Sequence, residues 1–561
     1  MKLILLLILT VARAGLAGLV ETEKEYQPKK DYSGYKVYHV VPKTDLQLRY
    51  LQHLWINDSS LMLDFWTDPG KVGRRVDIMV PPGSMERFQK EMGTRGIQTN
   101  IMIDNVQEAI SKEKDIMKFR AQLLRDSFSS GRSNGLGIGN FRLDRYNSYD
   151  EIERFLESAA RAYPDRARMI TIQKDGSDTR QWNPIRTHEG REIKMLHIGR
   201  PMIYDQDDPN GPAKRSHKRP AFWIDAGIHA REWIAPAVAL YIINELLVNY
   251  DQNPKYRQYV DNIDWYIVPV LNPDGYEYSR NSDRMWRKNR NPNNYARFNW
   301  CWGVDLNRNF DWAWGGEGSS YDECKEIYHG TRAFSEPESQ AVETFVRKIR
   351  YNLEAFITLH SYSQIWMYPF GHEVNNRSFD WRELARVATR GSEKLKSFYG
   401  TDYVVNTGAN ALYPASGGSD DWAKGRMGVK FVYLLELRPE DNNRFDSSRG
   451  FLLPTSEIIP TCEETWGGLQ VVADAVLERN NLTPVSEGAT PHPAAGGSYD
   501  WAKGVLGVRY AYLLELRPED DSRNYFEVSN GFLLDEADII PTAEETWGGL
   551  QEVAAQILRF R

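Results

Sequence analysis

His229-Ala-Arg-Glu232 closes the apolar run Ala221-Phe-Trp-Ile-Asp-Ala-Gly-Ile228 and opens a helical pattern over 233–249. An imidazole and a carboxylate three residues apart can converge on one cation where the backbone turns. Zinc accepts nitrogen and oxygen ligands, and a hydrolytic zinc centre takes three from the protein and leaves a place for water. The third ligand must come from elsewhere. His360 is the best candidate, because it ends a second apolar run, Leu353-Glu-Ala-Phe-Ile-Thr-Leu359. Both histidines then fall at the end of a strand, where open α/β sheets carry their sites. A lone His-x-x-Glu is most often a surface pair. The strand-to-helix context and His360-Ser-Tyr-Ser363 raise this one above that background.

Outward from these segments, the chain alternates strands and helices from Phe141 onward. Helices are predicted over 143–163, 233–249, 336–349 and 381–398. Strands are predicted over 169–172, 194–198, 221–228, 265–271, 353–359 and 431–437. This order predicts an α/β domain around a mixed, mostly parallel sheet, ending near Glu478. Ahead of it, 35–41, 63–66, 75–80 and 98–103 read as strands, and 44–55 and 84–92 as helices, with Ser84 as candidate N-cap. That βαββαβ order predicts a small α+β domain with an antiparallel sheet. Between the two lies Ser127-Phe-Ser-Ser-Gly-Arg-Ser-Asn-Gly135, a Gly/Ser-rich linker whose Arg132 is open to a trypsin-like protease. Gly131-Arg-Ser-Asn-Gly135 formally matches a serine-hydrolase pattern, but no strand precedes it and no helix follows.

The 561 residues suffice for three or four units of roughly 150 each. A net charge of −7, without a basic block, argues against nucleic acid as a partner. Lys2, the apolar run from Leu3 to Ala12 and the small residues Ala14, Gly15, Ala17 and Gly18 read as an export signal. That run is short for a bilayer span, and no other stretch is apolar enough, so a secreted, extracellular protein without a membrane partner is expected. Of three cysteines, Cys301 and Cys324 could bridge a loop in an oxidising compartment, leaving Cys462 as the odd one. Asn57-Asp-Ser, Asn376-Arg-Ser and Asn481-Leu-Thr match the glycosylation acceptor pattern.

The C-terminal part is written twice. Pro414-Ala-Ser-Gly-Gly-Ser-Asp-Asp-Trp-Ala-Lys recurs as Pro493-Ala-Ala-Gly-Gly-Ser-Tyr-Asp-Trp-Ala-Lys, and Leu434-Leu-Glu-Leu-Arg-Pro-Glu recurs from Leu513. Glu463-Glu-Thr-Trp-Gly-Gly-Leu-Gln recurs from Glu544. The second copy keeps Glu515 but has Tyr499 in place of Asp420, and His492 stands at the Tyr413 position. It lacks the metal-ligand motifs, and a lone strand and helix cannot bury a core. The first copy is expected to dock, because Leu412-Tyr-Pro runs into it without a break.

With these segments in hand, the chain resembles the secreted metallocarboxypeptidases of the carboxypeptidase A and B type, from about Tyr35 to Glu478. The resemblance implies an eight-stranded mixed sheet flanked by helices, behind an inhibitory activation domain. It divides the chain into an export signal (1–18), activation domain (19–110), connecting helix and cleavable linker (111–135), zinc carboxypeptidase domain (136–478), and linker with partial repeat (479–561). It implies one zinc ion on His229, Glu232 and His360, with Asp305 orienting the first histidine. Glu436 matches the general base and Arg287 the residue that polarises the carbonyl. Asn307 and Arg308 match the clamp for the C-terminal carboxylate, Tyr413 the phenol that closes over substrate, and Arg231 and Tyr362 outer subsites. Cys301 and Cys324 match the family disulfide.

Asp420, in Gly417-Gly-Ser-Asp-Asp-Trp422, matches the base of the pocket for the departing residue, and with Gly408 resembles the B type that takes Lys or Arg. An apolar, A-type pocket is the alternative. The expected protein is a monomeric zymogen, activated by a trypsin-like protease and acting on peptide or protein C-termini. Its rivals are a peptide-binding pseudoenzyme and a metal-free binding protein.

Overall fold

The computed structural model describes residues 29–127, 137–174, 183–200, 219–293, 301–440, 450–485, 546–547 and 550–551. Arg132, the linker and most of the second repeat, including His492, Tyr499 and Glu515, lie outside these, as does the export signal.

The N-terminal part comprises β1 (Lys36–Val40), α1 (Asp45–Ile56), β2 (Asp64–Phe65), β3 (Val76–Val80), α2 (Met85–Thr94) and β4 (Thr99–Ile103). Its strands form an antiparallel sheet in the order β2-β3-β1-β4. Strand alternation gives this sheet two apolar faces. Tyr38, Val40, Val76, Ile78 and Val80 pack with Leu51, Leu54, Phe88 and Met92 of the two helices. Val37, Met79 and Ile103 pack instead with Met285, Tyr362 and Phe451. The second face therefore belongs to an interface with the larger domain. Ser84 does not cap α2: Pro81 and Pro82 start a 3₁₀ turn over Pro82–Ser84, which leaves Ser84 helical and without a capping bond. A long helix, α3 (Val106–Ser127), follows.

The larger domain contains α4 (Tyr149–Ala162), β5 (Ala167–Thr171), β6 (Lys194–Ile198), β7 (Ala221–Ala226), α5 (Ile234–Val248), α6 (Pro254–Asn262), β8 (Asp264–Val268) and α7 (Pro273–Asn281). Then come α8 (Pro337–Ile349), β9 (Leu353–Ser363), β10 (Ile365–Tyr368), α9 (Trp381–Tyr399), β11 (Val404–Thr407), α10 (Ser419–Gly425), β12 (Phe431–Glu440) and α11 (Ile458–Arg479). Eight strands form one mixed sheet in the order β11-β10-β12-β9-β7-β8-β6-β5. The β10/β11, β12/β9, β7/β9 and β7/β8 pairs are parallel, and β10/β12, β6/β8 and β5/β6 antiparallel. β12, from the first copy of the repeated segment, sits inside the sheet between β10 and β9.

Both faces are covered. Phe222, Ile224, Ala355, Ile357 and Leu359 pack with α4, α5, α9 and α11. Trp223, Tyr266, Phe356 and Val432 pack with α8 and with Trp422 of α10. This explains why the central strands read as unbroken apolar runs. The helix predicted over 143–163 begins only at Tyr149. Ser148 accepts from the Glu151 amide, and the Glu151 carboxylate bonds back to the Ser148 amide, a capping box that fixes the start. β9 and β12 also run past their predicted ends, so His360, expected just beyond a strand, lies within β9, and Glu436 is well inside β12. Cys301 and Cys324 form a disulfide, and Cys462 is buried as a free thiol.

Candidate active site and metal centre

The apolar run of β7 ends at Ala226, and Gly227 takes a left-handed turn (φ 64°) that frees the following residues from the sheet. The turn from His229 to Glu232 is held by the Ala230 amide on the Arg287 carbonyl (2.9 Å), and α5 starts two residues later. His229 and Glu232 thus project from the strand-to-helix turn, while His360 comes from the parallel neighbour β9. One ligand atom from each lies within 4.8 Å of the others, and all three residues are buried. His229 Nδ1 is 2.9 Å from Glu232 Oε1 and 3.2 Å from His360 Nδ1, and His360 Nδ1 is 3.3 Å from Glu232 Oε2. Two nitrogens and a carboxylate crowded together out of solvent form a donor set that fits a divalent zinc ion.

Asp305 lies behind His229, with Oδ1 3.0 Å from His229 Nε2. The same oxygen accepts from the Asn307 amide (3.0 Å), so Asp305 also caps the turn Leu306–Arg308. Arg287 donates to its second oxygen at 2.9 and 3.3 Å. Burial alone would raise the Asp305 pKa, but Arg287, His229 and Arg308 hold it well below the usual carboxylate range.

Glu436 is in register with His360 on the adjoining parallel strand, which puts both side chains on one face. Burial pushes Glu436 up to about 8; Glu232 and Asp68 add to this, against His360 and Arg287. A cation held by the two histidines and Glu232 would draw it down.

A cavity of about 90 Å³ brings together His229, Glu232, Arg287, Asn307, Arg308, His360, Tyr362, Tyr413, Asp420 and Glu436, with Gly371 and Gly408 also in its wall. Arg308 donates to Tyr413 Oη (2.6 Å), to the Gly318 carbonyl (2.7 Å) and to the Asn307 carbonyl (2.9 Å). The Asn307 side-chain oxygen accepts from the Ser419 amide (3.0 Å). Gly417 allows this junction to close: its φ is 82°, and a Cβ there would stand 2.3 Å from the Arg308 carbonyl oxygen. Asp420 and its neighbour Asp421 differ sharply. Asp421 accepts from the amides of Gly371 (2.7 Å) and His372 (2.9 Å) and pairs with the His372 ring (2.7 Å). Asp420 faces the cavity, and burial followed by repulsion from Asp421 pushes it up to about 7.

The same cavity is lined by Trp66, Thr67 and Asp68 of the N-terminal domain. Asp68 is partly buried and hydrogen-bonds the Tyr413 hydroxyl; burial raises its pKa, opposed by Arg287, Tyr413, Arg308 and Arg231. Arg231 lies outside the cavity wall and donates to both oxygens of Asp64 (3.1 and 2.9 Å). Tyr362 donates to Asp77 (2.6 Å). Three acids of the N-terminal domain therefore hold three side chains that the sequence marks for substrate. Sequence reading missed these acids. Asp64, Asp68 and Asp77 are offset by Lys71, Arg74 and Arg75 in the same stretch, so no net charge marks them in the sequence.

Two family models match the chain. "Zinc carboxypeptidase" covers residues 152–468 and 472–549, the second span lying largely in the repeated segment. "Carboxypeptidase activation peptide" covers 38–113. Carboxypeptidase A2 of Rattus norvegicus is 33% identical over 470 residues, 84% of this chain and 99% of that protein. Carboxypeptidase B of Astacus astacus is 39% identical over 333 residues, 59% of this chain and 97% of that protein. Among solved structures, the carboxypeptidase A from Helicoverpa armigera superposes with a TM-score of 0.67 at 28% identity, covering 80% of this chain and 99% of that one. Thrombin activatable fibrinolysis inhibitor superposes with a TM-score of 0.63 at 29% identity, covering 81% and 100%. With a cation cradle at the ends of parallel strands and an activation segment seated over it, the chain belongs to the zinc carboxypeptidase family and is a metallocarboxypeptidase zymogen.

Proposed function

We propose that this zymogen is secreted, is activated by cleavage in the linker near Arg132 by a trypsin-like protease, and then releases C-terminal Lys or Arg from peptides as a monomer. The reading rests above all on the meeting of His229, Glu232 and His360 within 4.8 Å, with Glu436 in register beside His360. Zinc bound by these three would lower the pKa of a water molecule and polarise the substrate carbonyl. Glu436 takes the proton of the attacking water as its oxygen bonds to the scissile carbonyl carbon, then delivers it to the amine as the C–N bond breaks. Arg287 stabilises the negative charge that develops on the carbonyl oxygen. Arg308 and Asn307 receive the substrate's terminal carboxylate, and Tyr413 closes over it. The basic preference is supported by the Asp420 carboxylate at a wall kept open by Gly371 and Gly408. Relatives of both types leave the apolar pocket as the competing reading.

The test is tryptic activation followed by assays on peptides ending in Arg, Lys and Phe, with and without a chelator, beside Glu436→Gln. Hydrolysis is expected to stop with the chelator, to fall about 100- to 10,000-fold in E436Q, and to favour Arg and Lys. Chelator-insensitive hydrolysis would overturn the metal reading; preference for Phe would overturn the pocket reading; zinc binding without turnover would identify a pseudoenzyme.

A further inference from the structure

A second polar chain runs from His360, distinct from the Asp305 contact behind His229. β7 and β9 are parallel neighbours with Asp225 in register with Thr358. Alternation puts Trp223 and Asp225 on one face of β7, and Thr358 and His360 on the same face of β9. None of the four is more than 1% exposed.

A carboxylate so enclosed must find donors. Asp225 finds the Trp223 indole N–H on Oδ2 at 2.7 Å and the Thr358 hydroxyl on Oδ1 at 2.8 Å. Thr358 has one O–H, and it points to Asp225. Towards His360 Nε2, 3.2 Å away, its oxygen is left as an acceptor. The proton of the neutral ring then resides on Nε2, and the Nδ1 lone pair faces His229 and Glu232.

We propose that Thr358, held by Asp225, is the positioning residue that locks His360 in this tautomer and sets the protein's affinity for zinc. The proposal rests on the reading of His360 as a ligand. If Thr358 merely fills the core, valine of nearly equal shape would serve as well. If it positions His360, serine should replace it and valine should not.

The experiment measures zinc affinity of the full chain by competition with a chromophoric chelator, alongside thermal unfolding of the metal-free protein. It compares the parent with Thr358→Val, Thr358→Ser, Asp225→Asn and His360→Ala. Loss of an outer partner of a metal-bound histidine typically costs 10- to 100-fold in affinity. T358V is expected to lose about that much, and T358S to stay within about threefold of the parent. An affinity for T358V within twofold of the parent, while H360A loses zinc, would overturn the positioning role and leave the ligand reading intact. Parental affinity in H360A would overturn both. Should T358V fail to fold, D225N carries the same expectation of weakened zinc binding, and unchanged affinity there would overturn the proposal.

Discussion

The Arg284 guanidinium and the Glu113 carboxylate meet in two parallel hydrogen bonds, 2.8 and 3.0 Å long, across the seam between α3 and the hydrolase domain. Both side chains are buried; Arg284 also donates to the Phe451 carbonyl (2.6 Å) and lies over the Trp233 ring. Removing one partner of such a pair costs about 3–5 kcal/mol, because the other charge stays buried. Glu113→Gln is therefore expected to speed release of a cleaved activation segment by about 100-fold or more. The onset of activity after trypsin treatment measures this. A lag equal to the parent's would contradict it.

Gly70 sits against the backbone of the hydrolase domain, where a Cβ would stand 1.6 Å from the Leu412 carbonyl oxygen. Backbone on both sides leaves nothing flexible to yield. Gly70→Ala should lift the segment that carries Asp68 away from Tyr413 and raise peptidase activity of the uncleaved chain. Gly83→Ala, with no atom within 4 Å of the new methyl group, is the control. Equal activity in both variants would count against the occlusion.

If Asp420 receives a basic side chain as proposed, it does so only when ionised, and burial and Asp421 push its pKa up to about 7. The KM for Arg-ended peptides should fall as pH rises through about 7, with no matching change for Phe-ended peptides. Asp420→Asn should abolish that difference. An unchanged profile in D420N would place the basic recognition elsewhere.

Glu338, fully buried, is pushed up to about 8 by burial and by Glu336 and Asp274. The native state then keeps a proton that the unfolded chain releases near the ordinary glutamate value of 4.5. Its contribution to stability declines as pH rises from about 4.5 and levels off above about 8. Glu338→Gln should remove this slope. Urea midpoints of both proteins between pH 5 and 9 measure it, and parallel curves would refute it.

Ending the chain after Val485 keeps α11 and the turn that follows it. Gln258 donates to the Thr483 carbonyl (2.7 Å) and accepts from the Val485 amide (2.8 Å). The shortened protein is expected to fold, activate and hydrolyse like the parent. Loss of all three would show that the second copy is required.

The cation cradle was legible because its ligands interrupt apolar runs: His229 follows β7, and His360 breaks the pattern of β9. The same interruption hid the true strand ends, since polar residues facing a site look like the start of a loop. β10 and β11 went unread, each only four residues long. Ser84 looked like a cap until the preceding prolines claimed it for a tighter turn. The inhibitory contacts left no local trace at all. Asp64 and Arg231 stand 167 residues apart, and Asp77 and Tyr362 stand 285 apart. Such pairs are set by how two finished surfaces meet, which no window of sequence records.

β12 is flanked by β10 and β9, so a strand taking its place would have to displace it from both; among the described residues the borders of this sheet are β11 and β5. Trading one ending for the other would require unzipping two rows of backbone bonds at once. Once the sheet has formed, β12 is therefore costly to exchange for any other strand.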